Sequence, residues 1–209
     1  MIPAPHDRPQ PDGSDLRPVQ AADVPALAVT LARAFNENPG MSWVVPDPAK
    51  RPARLERLFS VLLEHFWVPH GECTTTVGVE GAALWMPPGL WHLPAPQGLR
   101  LLPRLTGAVR GNVTRAIRGA AITDARHPSD PPHWYLAVLG VDPPAQGRGF
   151  GSHLLAPGLR RCDENSMPAY LETDTERNVT LYERHGFEVI GEVALPGGTP
   201  IWLMWRGVG

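Results

Sequence analysis

The segment that most restricts this chain is Gln146-Gly147-Arg148-Gly149-Phe150-Gly151, where glycines at alternate positions follow an apolar, β-prone run at residues 133–141. A helical pattern starts inside it, because Leu154, Leu155 and Leu159 keep three- and four-residue steps as far as Cys162. Strand, glycine turn and helix in that order favour anions. The first turn of a helix has backbone N–H groups without internal partners and the positive end of the helix dipole, and glycines let a phosphate approach them. Arg148 adds a charge and Ser152 a hydroxyl donor that reach the same place. A plain tight turn uses the same glycines, so the segment alone leaves both readings open. Two other phosphate loops are excluded: no Lys-Ser or Lys-Thr follows at P-loop spacing, and the glycines do not fall as Gly-x-Gly-x-x-Gly.

The pattern upstream predicts a mixed α/β plan. Residues 16–19 read as a short strand, with Asp23 as a helix N-cap and Pro25 in the first turn. Val24, Leu27, Leu31 and Phe35 then mark one apolar helix face that stops before Pro39, and residues 53–66 repeat the period. Residues 73–79 and 82–86 read as a hairpin turning at Glu80-Gly81. Residues 87–132 have the weakest pattern, a Pro-rich loop and then helix over 99–122 interrupted by glycines. After the glycine turn come a strand at 169–172, a helix at 178–185 closed by Gly186, and strands at 187–193 and 200–205. Pro157 should bend its helix near Ala156, at about 3 kcal/mol in a regular helix interior.

Composition narrows the function classes. A length of 209 residues with 43% hydrophobic and 19% charged residues suits one globular domain, expected over 16–209 behind a mobile Pro-rich tail at 1–15. A net charge of −2 without a dense Lys/Arg run argues against nucleic acid. No apolar stretch approaches a membrane span of about 20 residues, and no basic-then-apolar leader opens the chain, so a cytoplasmic location is expected. Cys73 and Cys162 read as reduced, packed thiols, and His65, His70 and Cys73 straddle separate elements, so no metal is expected.

Residues 141–151, Val-Asp-Pro-Pro-Ala-Gln-Gly-Arg-Gly-Phe-Gly, resemble the acetyl-CoA segment of GNAT acetyltransferases, in which Val-x-Pro precedes Gln/Arg-x-x-Gly-x-Gly/Ala. Downstream, Leu171-Glu172-Thr173 resembles the family's fifth strand, and Asn178, Tyr182 and Gly186-Phe187 match its Asn-x-x-x-Tyr-x-x-x-Gly-Phe helix. The cofactor half is most similar to the puromycin N-acetyltransferase type, while residues 88–130 match that type poorly. The resemblance implies a twisted, mostly antiparallel mixed sheet of about seven strands flanked by helices, splayed between the fourth and fifth strands. It also implies acetyl-CoA as acetyl donor and a small-molecule primary amine as acceptor in a direct-attack ternary complex, in a monomer or homodimer.

The same resemblance distributes the roles. Backbone groups of Leu139, Gly140 and Val141 pair with pantetheine, the Val141 N–H facing the thioester carbonyl. Gln146, Gly147, Arg148, Gly149, Phe150, Gly151 and Ser152 hold the pyrophosphate. Tyr182 is the expected general acid, with a core aromatic as its other reading. Asn178 contacts the pantetheine arm or caps its helix. Glu172 is the expected general base, against a structural role, with Asp174 and His133 in reserve. Trp43, Phe66, Trp85, Trp91 and His92 lie in segments that could line the acceptor side. Protein or peptide acetylation and a non-catalytic acyl-CoA sensor are the competing functions.

Overall fold

A computed structural model describes residues 15–208; all of the expected tail except Asp15 lies outside the described residues. The chain runs β1 (Leu16–Pro18), α1 (Val24–Ala34), α2 (Pro39–Val44) and α3 (Arg51–Leu62). A π-helical turn, Leu63–Trp67, leads to the single turn α4 (Val68–His70), then β2 (Glu72–Thr76) and β3 (Gly81–Met86). Two helices, α5 (Ala95–Ala108) and α6 (Val113–Asp124), precede β4 (Trp134–Val141) and α7 (Phe150–Glu164). The chain closes with β5 (Ala169–Thr173), α8 (Glu176–Glu183), β6 (Glu188–Ala194) and β7 (Pro200–Arg206).

The seven strands form one sheet in the order β1-β2-β3-β4-β5-β7-β6, antiparallel except for the parallel pair β4–β5. β3 is buried at all six positions. Its side chains alternate between two cores, as a strand covered on both faces must. Ala82, Leu84 and Met86 pack with Leu27, Leu31, Leu55 and Phe59 of α1 and α3. Ala83 and Trp85 pack with Leu154, Leu155 and Leu159 of α7. No described helix is long and apolar enough to cross a membrane.

β4 carries an irregularity that positions everything below. Its register with β3 slips between Leu84 and Trp85, which pair with Val138 and Leu136 and leave Ala137 over. An extra residue of this kind is a β-bulge, and it reverses the side-chain alternation beyond it. Thus Leu136 lies in the core under α7, while Val138, only two residues on, lies in the core under α1 and α3.

Several local expectations are corrected. Asp23 stands at the N-cap position of α1 but makes no side-chain cap bond; its carboxylate instead receives the Gln20 N–H at 2.8 Å and pairs with Arg17 at 2.6 Å, closing the preceding 3-10 turn. The hairpin turns over residues 77–80, with Val79 at φ +58°, rather than at Glu80-Gly81. Asn178 is not an N-cap, because α8 starts two residues earlier behind Thr175. α7 is one helix from Phe150 to Glu164 with Pro157 inside it; the adjoining Gly158 leaves room for the Trp85 indole, whose Nε1 would stand 2.2 Å from an added Cβ. Cys73 and Cys162 are free and buried, and burial raises their thiols to about 12 and about 11.

Candidate active site

The parallel pairing of β4 with β5 ends at Leu136 and Leu171, so β4 beyond Ala137 has β3 on one side and an opening on the other. The Asp142 N–H donates to the Glu80 carbonyl at 2.7 Å. Counting back along an antiparallel ladder, Gly140 also bonds toward β3, while Leu139 and Val141 turn their N–H and C=O groups into the opening. Gly140 therefore differs from its two neighbours in what it offers. A Cβ there would meet Leu31 Cδ2 at 2.5 Å, so the bare glycine lets α1 lie against β4.

A cleft of about 730 Å³ fills the opening. Residues 139–141, Gln146, Gly147, residues 149–152 and Asn178 all line it, joined by Arg33, Asn38 and Arg177. Arg148 does not line it; its guanidinium lies 5.2 Å from the Phe150 ring centre. Gly147 and Gly149 have φ of +75° and +88°, and a Cβ on either would touch nothing within 4 Å. The turn is thus a left-handed cradle open to the cleft, which L residues rarely adopt. The first helical bond of α7 from this turn is His153 N–H to the Gly149 carbonyl, at 3.1 Å, so the N–H groups of residues 150–152 precede the ladder, as an anion requires. This geometry fits a pyrophosphate. Gln146 ties the cleft walls together, donating to the Val141 carbonyl at 3.0 Å and accepting from Arg177 at 3.3 Å. The Ser152 hydroxyl lies 3.0 Å from His185 Nε2.

Glu172 and Tyr182 stand apart from that lining. Glu172 accepts the Tyr170 hydroxyl at 3.1 Å and faces His127 Nδ1 at 3.8 Å. The tautomers follow from the partners. His133 Nδ1 lies 2.8 Å from the Pro131 carbonyl, which only accepts, so Nδ1 carries the proton; Nε2 then accepts from His127 Nε2 at 3.1 Å. His127 Nδ1 is left directed at the carboxylate. His127, which no sequence motif marked, is the hub of this cluster and falls in the weakly patterned segment 87–132. Asp174, a reserve base, is occupied: its oxygens accept from Asn38 Nδ2 at 2.5 Å and the Gly40 N–H at 2.7 Å, latching the start of α2 to the end of β5. Tyr182 is 5% exposed and packs on Phe187, 5.9 Å between ring centres. Burial, and then Asp174, raise its pKa well above the usual phenol value.

Next along β4, Tyr135 and Ala137 line a second cavity of about 480 Å³ with Phe66, Trp67, Trp91 and Asp124. Of the aromatics expected on the acceptor side, Phe66, Trp91 and His92 are there. Trp85 is buried beneath α7 instead, and Trp43 is held by α6 through Arg115, which donates to its carbonyl at 2.9 Å.

Burial lowers the pKa of His133, as does the neighbouring His127, and burial and then Arg184 lower that of His185. A histidine with a depressed folded pKa binds its proton more readily when unfolded, so its contribution is whole above about pH 6.5 and is lost as pH falls below that value. Melting temperature is therefore expected to drop between pH 7 and pH 5, and to drop less in His133→Gln. Equal slopes for variant and wild type would show that His133 does not carry the effect.

The sequence model of the acetyltransferase (GNAT) family matches residues 64–187. The chain belongs to this family. It is a GNAT N-acetyltransferase, and it is 29% identical over 180 residues to an uncharacterized N-acetyltransferase of Schizosaccharomyces pombe, covering 81% of this chain and 72% of that one. A crystal structure described as histone acetyltransferase HPA2 and related acetyltransferase, from Corynebacterium glutamicum, superposes with a TM-score of 0.70 at 28% identity, over 93% of this chain and 96% of that one. The polyamine N-acetyltransferase of Drosophila melanogaster, which forms N-acetylagmatine, shares the fold with a TM-score of 0.60 at 17% identity, over 92% and 99%. The matched range takes in all but the first residue of the π turn, the opening in the sheet, the glycine cradle and α8.

Proposed function

We propose that this GNAT protein transfers an acetyl group from acetyl-CoA to a primary amine of a small molecule by direct attack in a ternary complex. The observation that carries the reading is that two cavities adjoin along β4: Leu139 faces the cradle-bearing cleft, and Ala137, about 6–7 Å away along a strand, faces the aromatic one. Acetyl-CoA, when bound, supplies the activated acetyl thioester. In this reading residues 146–152 bind its phosphates, Leu139 and Val141 offer strand-like partners to the pantetheine arm, and Asn178 contacts that arm from α8. The Val141 N–H stabilises negative charge developing on the carbonyl oxygen. Glu172 takes the proton of the amine, with His127 beside it to share the charge, and Tyr182 holds a proton for the departing sulfur. We read residues 16–209 as one catalytic domain, as a monomer or homodimer in the cytoplasm, with no nucleic acid, membrane or metal partner.

The likeness to the puromycin type supports a small acceptor, as does the family neighbour acting on polyamines. The Corynebacterium neighbour's description favours a second reading, protein acetylation, for which an open groove is the better shape. The test is calorimetric titration with acetyl-CoA, then thiol release across a panel of amines and histone-tail peptides. Micromolar binding with turnover of small amines is expected. Binding without turnover of any amine or peptide points to an acyl-CoA sensor, and no binding by folded protein removes the proposal.

A further inference from the structure

Resting on the acetyltransferase reading, we propose that the cavity beside Ala137 selects monocationic amines that carry a flat aromatic body. Its walls are mostly aromatic. The π-helical turn brings two consecutive large residues, Phe66 and Trp67, to the same cavity, and such turns often mark functional sites. Trp91 stacks on His127 at 4.0 Å with their planes 10° apart, and His92 meets Trp91 edge-on at 4.4 Å. The Trp91 indole is thereby held as a planar wall, which suits an offset-stacked ring. A volume of about 480 Å³ holds a ring and a short side chain rather than a folded peptide segment.

The charge is equally specific. Among the lining residues Asp124, at the last turn of α6, is the only carboxylate, and no Lys or Arg is paired with it among the described residues. Partial burial, and then Glu172, raise its pKa above the ordinary carboxylate value, while His92 and His127 act in the opposite sense. An ammonium group gives this carboxylate a permanent cation to pair with. Asp124 senses Glu172, and Glu172 lies on β5 one residue past Leu171, where β4 and β5 part. In this reading an ammonium group paired with Asp124 lies on the Glu172 side of the cavity. A polyamine's further charges would meet Leu62, Phe66 or Leu93, and the lining has no second carboxylate to pair with them.

The experiment compares 2-phenylethylamine with spermidine on the full chain, using calorimetric binding without cofactor and thiol release with acetyl-CoA. The expected result is a kcat/KM for 2-phenylethylamine at least about tenfold higher, with Trp91→Ala and Asp124→Asn each weakening its binding by about tenfold. Acetyl-CoA affinity, unchanged in both variants, verifies that they fold. Equal or better turnover of spermidine overturns the proposal and leaves the acetyltransferase reading intact. Unchanged binding of 2-phenylethylamine in Trp91→Ala overturns it as well. If acetyl-CoA neither binds nor is cleaved while 2-phenylethylamine binds through Trp91 and Asp124, the enzymatic reading fails and the selectivity of the cavity stands.

Discussion

Tyr182→Phe is expected to lower kcat by about 10²- to 10⁴-fold, the usual range for loss of a positioned general acid. The phenol is 5% exposed, and its raised pKa keeps it protonated throughout the neutral range. A raised pKa makes a weaker acid in water, but the same burial that raises the phenol also raises a thiolate formed beside it, since low dielectric penalises either anion. Position therefore counts for more than the difference between reference values of about 10 and about 8.5. The ring of the variant still packs on Phe187, so acetyl-CoA affinity and melting temperature should change little. Equal falls in kcat and kcat/KM would place the lost interaction in the transition state. The measurement is made under conditions where chemistry, not product release, limits turnover. A variant within about threefold of wild type would make Tyr182 a packing residue and water the proton source.

Gly149→Asp is expected to weaken acetyl-CoA binding by roughly 100-fold or more, because strain and charge act together. Gly149 sits at φ +88°, immediately before α7, with its hydrogen facing open space. Asp is among the few residues that tolerate a left-handed backbone, so the fold should persist. Its carboxylate, however, would occupy the cradle proposed for the cofactor phosphates, at the positive end of a helix that then favours the wrong anion. Gly149→Asn separates the two causes: it makes the same backbone demand without the charge and should recover most of the affinity. Calorimetry beside circular dichroism reads both. If the Asp variant bound acetyl-CoA as wild type does, the phosphates would lie elsewhere and the glycine turn would be only a turn.

Much of this was legible in the residue order, and the parts that were share a cause. The glycine turn, the helix after it and the strands around residues 133–141 and 169–173 depend on backbone preference and hydrophobic period, which act over a few neighbours. The cofactor-side residues singled out on that basis line one cleft, except Arg148, whose long side chain folds back over Phe150. Local caps were less legible. Asp23 chose Arg17 over the helix terminus because a charged partner six positions away offers a stronger bond than a cap.

What the sequence by itself determined about this protein was its alternating α/β plan and the glycine cradle, because each is encoded within one short stretch of chain. Only the tertiary structure decided where the aromatic cavity lies. Phe66, Trp91, Asp124 and Tyr135 come from four separate stretches of chain, and none has a spacing that announces the others. That Tyr135 and Ala137 face this cavity while Leu139 faces the other goes with the bulge at Ala137, a slip of one residue that appears only when β4 is paired with β3. That slip turns the strand from one face of the sheet to the other, so that neighbouring residues serve two different cavities. His127 owes its place to the same cause: burial among Trp91, Tyr135 and Tyr170 and a bond to His133 define it, and those partners exist only once the sheet has formed.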